Sequence, residues 1–379
     1  MNIDKLPDEC LLYIFNLFNT FGTLLNCAAV CERWKYLVLE RLHNVKYLTD
    51  SLEKDAYPAS YTMFFKDDEL ERLEQLKWFP RLKILDVERT LDNDFISNVE
   101  VKGLQFKCDY FIDLEDVICH NSSLEMLAIK EVSNFFANEI QGPKMKQLFV
   151  TSIVSEFASC ARYFPNLQRL HIERYDRSPF DDEFYVGPVL EKLEILEICF
   201  YLDLYGELEH YHGFSLADHC PHLKSAFHYI QTDQDFHVNS GIKNHFLEDL
   251  VLQFHENQNW SVLRRILSKY PNLKHLAVRG GEAISDRNIP ELLELLPRII
   301  LIDIRYSRKV TEKSTEYIDQ YCGRHNRSIS FYYQKWPKIT KKWPQLSAKR
   351  VRIGRGFDFM KYCFLRNHNR LPILLDPDQ

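Results

Sequence analysis

Phe164-Pro165-Asn166-Leu167-Gln168-Arg169-Leu170-His171-Ile172 is the stretch that decides the architecture, because its frame returns along most of the chain. Leu167, Leu170 and Ile172 follow the spacing apolar-x-x-apolar-x-apolar. The last three residues alternate, as a strand with one buried face requires. Towards the amino terminus the frame recurs as Leu82-Leu85-Val87, Val101-Leu104-Phe106, Leu124-Leu127-Ile129 and Met145-Leu148-Val150. Towards the carboxy terminus it recurs as Leu193-Leu196-Ile198, a degenerate Leu223-Ala226-His228, Leu247-Leu250-Leu252, Leu273-Leu276-Val278 and Ile299-Ile302-Ile304, with a worn copy around Ile329 and Phe331. Five copies open with an apolar residue and proline, at Phe79-Pro80, Phe164-Pro165, Cys220-Pro221, Tyr270-Pro271 and Leu296-Pro297. Proline disfavours helix at the residue before it, so each pair ends a helix ahead of a strand.

Successive copies begin roughly 19 to 30 residues apart, which is the period of leucine-rich repeats. Helical stretches fill the intervals. Asp68–Leu76 precedes the first copy, Trp260–Leu267 precedes the ninth, and Ile284-Ser285-Asp286 and Val310-Thr311-Glu312 each open a helix after a strand. A doubly wound α/β domain would also alternate strand and helix. The regular period and the lack of a Gly-rich phosphate loop argue against it. One strand–helix unit cannot bury its apolar face alone, but stacked units form a continuous core. The expected fold is therefore an α/β repeat solenoid with a concave parallel sheet and outer helices.

The first forty-odd residues read differently. Leu6-Pro7-Asp8-Glu9 leads into Leu11, Ile14, Phe15 and Phe18, which share one helix face. Pro7 suits a first helical turn, and Asp8 and Glu9 suit the positive end of a helix dipole. A second helix is expected from Thr23 as its N-cap, and a third through Trp34, Leu37 and Leu42. Three short helices bury little surface, so part of their apolar surface is expected to await another protein.

The order Leu-Pro-x-Glu, apolar helix, Leu24-Leu25, then Val30-Cys31-x-x-Trp34 resembles the F-box, the module that docks on the adaptor of SCF ubiquitin ligases. Together with the repeats, the chain resembles the F-box/leucine-rich-repeat family of substrate receptors. The resemblance implies adaptor binding through Leu6, Pro7, Leu11, Ile14, Phe15, Val30, Cys31 and Trp34, and through the adaptor a link to the cullin. It implies a repeat array that holds a target protein while another subunit performs the chemistry, so no enzyme and no cofactor. Two other functions stay open: a repeat scaffold without a ligase role, and a nuclear factor that binds nucleic acid. The expected divisions are 1–48 F-box, 49–77 linker and first capping helix, 78–333 repeats in about eleven copies, and 334–379 a basic carboxy-terminal capping tail.

Composition fits a reduced intracellular compartment, cytoplasmic or nuclear. Ten cysteines are scattered over 379 residues without Cys-x-x-Cys pairs. No apolar span is long enough to cross a bilayer, no secretory leader pattern opens the chain, and no membrane partner is expected. No His-Glu-x-x-His pair, Gly-x-Ser-x-Gly elbow or phosphate loop is present. His210, His212, His219, Cys220 and His222 have zinc-type donors, yet Cys220-Pro221-His222-Leu223 is also the ordinary start of a repeat. The expectation is no metal.

Charge is uneven. Residues 335–379 hold eleven Lys or Arg against three acids, within a chain of net charge −6. Eight of those cations, with Trp336 and Trp343, fall in 335–355, a composition that can grip phosphates. A tail packing Trp336, Trp343, Phe357 and Phe359 over the open end of the array is preferred, because an array needs its end sealed. A tail folding back onto the concave face is the variant, and nucleic acid is not an expected partner.

The target surface is a column of outward strand positions, since side chains alternate. Candidates are Phe149, His171, Glu173, Glu197, Phe227, Tyr229, Arg279, Asp303 and Arg305. Phe149, Phe227 and Tyr229 are expected as exposed aromatics among polar groups, the make-up of a binding hot spot. Arg279 and Arg305 suit an acidic or phosphorylated peptide.

Overall fold

Short Leu-spaced strands alternate with loops and short helices in a computed structural model that describes residues 3–50, 57–66, 69, 73–87, 100–106, 118, 121, 123–129, 142–176, 182–202, 210–232, 237–280, 282–305, 307–333 and 358–376. The chain divides into two units, 1–145 and 146–379.

In the first unit, α1 (Asp8–Asn16) leaves an extended Pro7, with Asp8 and Glu9 in its first turn. Leu11 and Phe15, one turn apart, face the interior. α2 (Phe21–Ala28) starts earlier than expected, with Thr20 rather than Thr23 at the N-cap position. The earlier start lets Phe21 and Leu24 be buried together on one face. α3 (Glu32–Leu42) buries Leu37, Val38, Arg41 and Leu42. Five parallel strands follow: β1 (Tyr47–Thr49), β2 (Thr62–Phe64), β3 (Ile84–Val87), β4 (Gly103–Phe106) and β5 (Met126–Ile129). β1 pairs with both β2 and β3, β3 with β4, and β4 with β5. The helices are tied to the edge strand, where the Phe64 N–H donates to Asn19 O at 2.6 Å.

β1 and β2 carry no Leu-x-x-Leu frame and fall at the edge of, or inside, the stretch read as linker. Of the helix expected over 68–76, the described part is a 3-10 turn, Leu73–Trp78.

Arg41 is buried, and none of its side-chain nitrogens meets a partner among the described residues. Burial lowers its pKa. A buried guanidinium without partners costs more than an apolar group of its size. Arg41→Met is therefore expected to raise stability by about 1–3 kcal/mol, read as a higher urea midpoint with an unchanged slope.

In the second unit eight parallel strands succeed one another in chain order: β6 (Gln147–Thr151), β7 (Arg169–Asp176), β8 (Ile195–Leu202), β9 (Ser225–Ile230), β10 (Asp249–Phe254), β11 (His275–Arg279), β12 (Leu301–Asp303) and β13 (Ser330–Tyr332). Each of the eleven frames read from the sequence thus holds a strand, β3 to β13. Between them lie α4 (Val154–Cys160), α5 (Gly213–Asp218), α6 (Trp260–Leu267), α7 (Ile289–Leu295) and α8 (Glu312–His325), and α9 (Phe359–Tyr362) follows β13. α6 occupies the eight residues expected for it, capped by Asn259, which accepts from the Val262 N–H. α8 ends on Asn326, whose φ of 50° lies in the left-handed region that asparagine tolerates.

The repeat is visible in the main chain. Lys146 O accepts the N–H groups of both Gln168 and Arg169. Gln168 O does the same for Glu194 and Ile195, Glu194 O for Lys224 and Ser225, Lys224 O for Glu248 and Asp249, and Glu248 O for Lys274 and His275. Each repeat therefore grips the next at the strand entrance. Leu148, Leu170, Leu196, Ala226, Leu250, Leu276 and Ile302 occupy equivalent strand positions and are fully buried. Each such leucine contributes about 1.5–3 kcal/mol of burial.

Candidate functional site

Two surfaces carry the residues singled out from the sequence, one in each unit. In the first, Leu11 and Phe15 lie inside, so they support the helices from beneath. Leu6, Ile14 and Trp34 are half-buried, and Pro7, Val30 and Cys31 are exposed, Val30 at 59 %. Trp34 packs edge-on against Phe15 with ring centres 5.3 Å apart. Arg33 donates to Leu6 O at 2.6 Å and pairs with Asp8, which holds the start of α3 beside residues 6–8. The sequence reading missed Tyr13, Leu17 and Tyr36, each more than 60 % exposed. For Tyr13 the signal was present, since α1 carries apolar residues beyond the single face that Leu11 and Phe15 use. This exposed apolar surface on three short helices is suited to holding another protein.

In the second unit, strand alternation and register build three transverse rows on one sheet face. The first runs Gln147, Arg169, Ile195, Ser225, Asp249, His275 and Leu301. The second contains Phe149, His171, Glu197, Phe227, Val251, Ala277 and Asp303, and the third Glu173, Cys199, Tyr229, Gln253 and Arg279. The opposite face carries the repeat leucines and meets the helices, as where His228 packs on Phe214 of α5 with ring centres 4.5 Å apart.

The three-row face is covered. Phe359, Met360, Cys363, Phe364, Leu371 and Leu375 form one apolar cluster with Ile195, Cys199, Phe227, Tyr229, Val251, Ala277 and Leu301. The described part of the tail, 358–376, therefore lies across the strands instead of sealing the end of the array. Trp336, Trp343 and Phe357 fall outside the described residues. Phe149, Phe227 and Tyr229, expected exposed, are buried, as are His171, Glu197, Arg279 and Asp303, while Glu173 and Arg305 are partly buried. Alternation told which face these side chains share, but not that the chain itself would cover that face.

The polar groups beneath the tail are tightly paired. Arg169 forms an ion pair with Glu197 at 2.5 Å, both fully buried, and donates to Gln147. Burial pushes the Glu197 carboxyl above its usual range, against the pull of Arg169. Burial, with the adjacent Arg169 charge, holds His171 well below the usual histidine range, so it is neutral. Asp303 takes a two-pronged grip from Arg305, both contacts at 2.7 Å, and Arg279 stands 3.5 Å away. These arginines are spent on a carboxylate of their own chain and on main-chain carbonyls, and offer no open phosphopeptide clamp.

Ser225, Asp249 and His275 also meet. Asp249 accepts from the Ser225 hydroxyl at 2.5 Å and contacts His275 Nδ1 at 2.5 Å. The carboxylate stands between the hydroxyl and the imidazole, so the histidine cannot take the serine proton and the trio makes no relay. It lies in the first row, which the sequence reading passed over although alternation places it two residues upstream of the second.

Three of the histidines read as zinc-type donors are engaged one by one. His212 lies tilted against Phe184 with ring centres 4.2 Å apart, His219 Nδ1 lies 2.8 Å from Ser215 O, and His222 packs on Phe246. Among the described residues no three His, Cys, Asp or Glu side chains converge as a metal site. No helix among them is long and apolar enough to cross a membrane.

A family model described as F-box-like matches residues 3–47. Among curated protein sequences the chain finds no match. The amino-terminal domain is thus F-box-like, and a run of parallel strands follows it.

Proposed function

We propose that this chain is the substrate-recognition subunit of an SCF-type ubiquitin ligase. The observation that carries the reading is the exposed apolar surface of residues 6–34, which lies within the F-box-like match. Pro7, Val30 and Cys31, with the half-buried Leu6, Ile14 and Trp34, hold the adaptor, and the adaptor links the chain to the cullin. Leu11 and Phe15 shape that surface from below. The strands β3–β13 are leucine-rich repeats that hold a target protein. The chain's contribution is proximity: it raises the effective concentration of a target lysine at the ubiquitin-charged enzyme. Such a subunit needs no catalytic group or cofactor, and it works in the cytoplasm or nucleus. Fold alone would not carry this function, and the F-box residues are what support it.

Co-purification with the adaptor tests it. Wild type is expected to co-elute, and Leu6→Ala/Pro7→Ala/Trp34→Ala to lose at least about 100-fold in affinity, roughly 3 kcal/mol. Because Trp34 packs on Phe15, Val30→Asp serves as a second variant on an exposed position. It should also lose binding, with circular dichroism unchanged. A wild-type chain that fails to bind the adaptor leaves a repeat scaffold with a helical cap.

A further inference from the structure

The contacts that hold residues 358–376 on the sheet divide into two kinds. The polar ones go mostly to main-chain atoms. Gln147 donates to Leu375 O at 2.8 Å and accepts from the Leu375 N–H at 2.7 Å. Arg169 donates to Pro372 O at 2.7 Å and Ile373 O at 2.8 Å. Gln253 accepts from the His368 N–H at 3.0 Å, and Arg279 donates to the carbonyls of Phe364 and Arg366. Main-chain carbonyls and N–H groups are common to every peptide, so these side chains recognise a chain and not a sequence. The apolar contacts supply the selection. Phe359, Phe364, Leu371 and Leu375 enter a surface made by Ile195, Cys199, Phe227, Tyr229, Val251, Ala277 and Leu301.

Arg169 and Arg279 are buried in this contact. Removing the segment with nothing in its place would strip both of their carbonyl partners, an unfavourable exchange for a charged donor. The face therefore favours being filled, and its occupant changes by replacement more readily than by opening.

We propose that this face is a peptide-binding groove whose resident ligand is the chain's own carboxy-terminal segment, and that a target segment of the same chemistry takes its place. The target segment carries aromatic side chains at the places of Phe359 and Phe364 and aliphatic ones at those of Leu371 and Leu375. Its carbonyls at the places of Phe364, Pro372 and Ile373 take the two arginines. The inference rests on the receptor reading for its meaning, since it names how that receptor would take a target. As a physical property of the groove it is measured without the adaptor.

The test uses the full chain with a protease site placed between Gln345 and Leu346, cut after purification so that the folded contacts stay as they are. A fluorescent peptide of residues 358–376 is added in excess and the mixture is resolved by gel filtration. The expected result is exchange: label co-elutes with the cut chain, the native fragment is released, and the thermal midpoint is retained. The same peptide carrying Phe364→Ala and Leu371→Ala should bind at least 10-fold more weakly. The uncut chain should take up at least 100-fold less label, because the tethered segment competes at high effective concentration. Retention of the native fragment with no label bound to a folded cut chain overturns the proposal, and so does unfolding on exchange. If the uncut chain elutes as a dimer that trades segments with a tagged copy, the groove's partner is a second copy, and the target reading is overturned. Adaptor co-purification is independent of each of these outcomes, so failure here leaves the F-box reading standing, and the reverse.

Discussion

Arg169→Met is expected to lower the stability of the chain by about 3–5 kcal/mol, seen as a fall in the urea midpoint. The arginine and Glu197 are both fully buried and lie 2.5 Å apart. An ion pair of that kind gains little net free energy over an apolar pair, but removing one member strands the other charge away from water. Neither Glu197 oxygen has a hydrogen-bond partner among the described residues, and the His171 ring nitrogen stands 3.9 Å away, so the carboxylate would be left buried without its cation. Arg169→Met/Glu197→Leu should recover most of the loss, because the stranded carboxylate goes with it. The coupling should exceed about 1.5 kcal/mol in a double-mutant cycle. What the double variant fails to recover belongs to the carbonyls of Pro372 and Ile373, which lose their donor in both. Equal losses in the single and double variants would mean the two charges do not need one another.

Lys269→Met should cost a similar about 3–5 kcal/mol for a different reason of place. Lys269 follows α6 and is buried, yet its Nζ reaches Asp218 at the end of α5, at 2.5 Å, and the carbonyl of Asn239 at 2.7 Å. It pins parts of two repeats that are not neighbours in sequence. Burial already raises the Asp218 carboxyl above its usual value, with Lys269, His219 and His237 pulling it down. Without the lysine it rises further. A carboxyl raised in the folded state binds its proton more tightly there, so its contribution to stability is full at low pH and is lost as pH rises through the folded value. The deficit of Lys269→Met should therefore shrink between pH 8 and pH 5. Chemical denaturation at both pH values measures it, and a deficit that grows towards acid would contradict this account.

Much of this architecture was legible because repeats state one rule many times. The frame Leu167-Leu170-Ile172 located β7, and its relatives located ten further strands, even where Ala226 and His228 replaced the usual aliphatics. α6 was legible from Trp260 to Leu267 as the helical stretch ahead of Leu273-Leu276-Val278, and the structure adds its cap, Asn259. β1 and β2 were not, since three residues such as Tyr47-Leu48-Thr49 carry no period. For the candidate surfaces the limit was of another kind. Alternation told correctly that His171, Glu197, Phe227 and Tyr229 share a face, but coverage of a face is a non-local fact. A tail folding back onto that face was one of two readings, but nothing near Phe359, Met360, Cys363 and Phe364 in sequence points to Ile195 or Val251. Burial of Leu11 and Phe15, with Val30 and Cys31 left exposed, likewise depends on how three helices meet.

The doubled hydrogen bonds at each strand entrance bear on which changes of length the chain can absorb. Lys146, Gln168, Glu194, Lys224 and Glu248 each clamp two successive N–H groups of the following repeat, so pairing is set anew just before every strand. Extra residues placed after a strand, beyond Leu202 for example, loop out and leave the next clamp to restore alignment; a loop grown to twice its length costs only about 0.6 kcal/mol in closure entropy. A single residue inserted between Leu193 and Ile195 has no such remedy, because it reverses every side chain of β8 and puts Leu196 where Glu197 belongs. Spacings from 19 to 30 residues are thus the mark of a ruler read at one notch per repeat, tolerant of slack everywhere else.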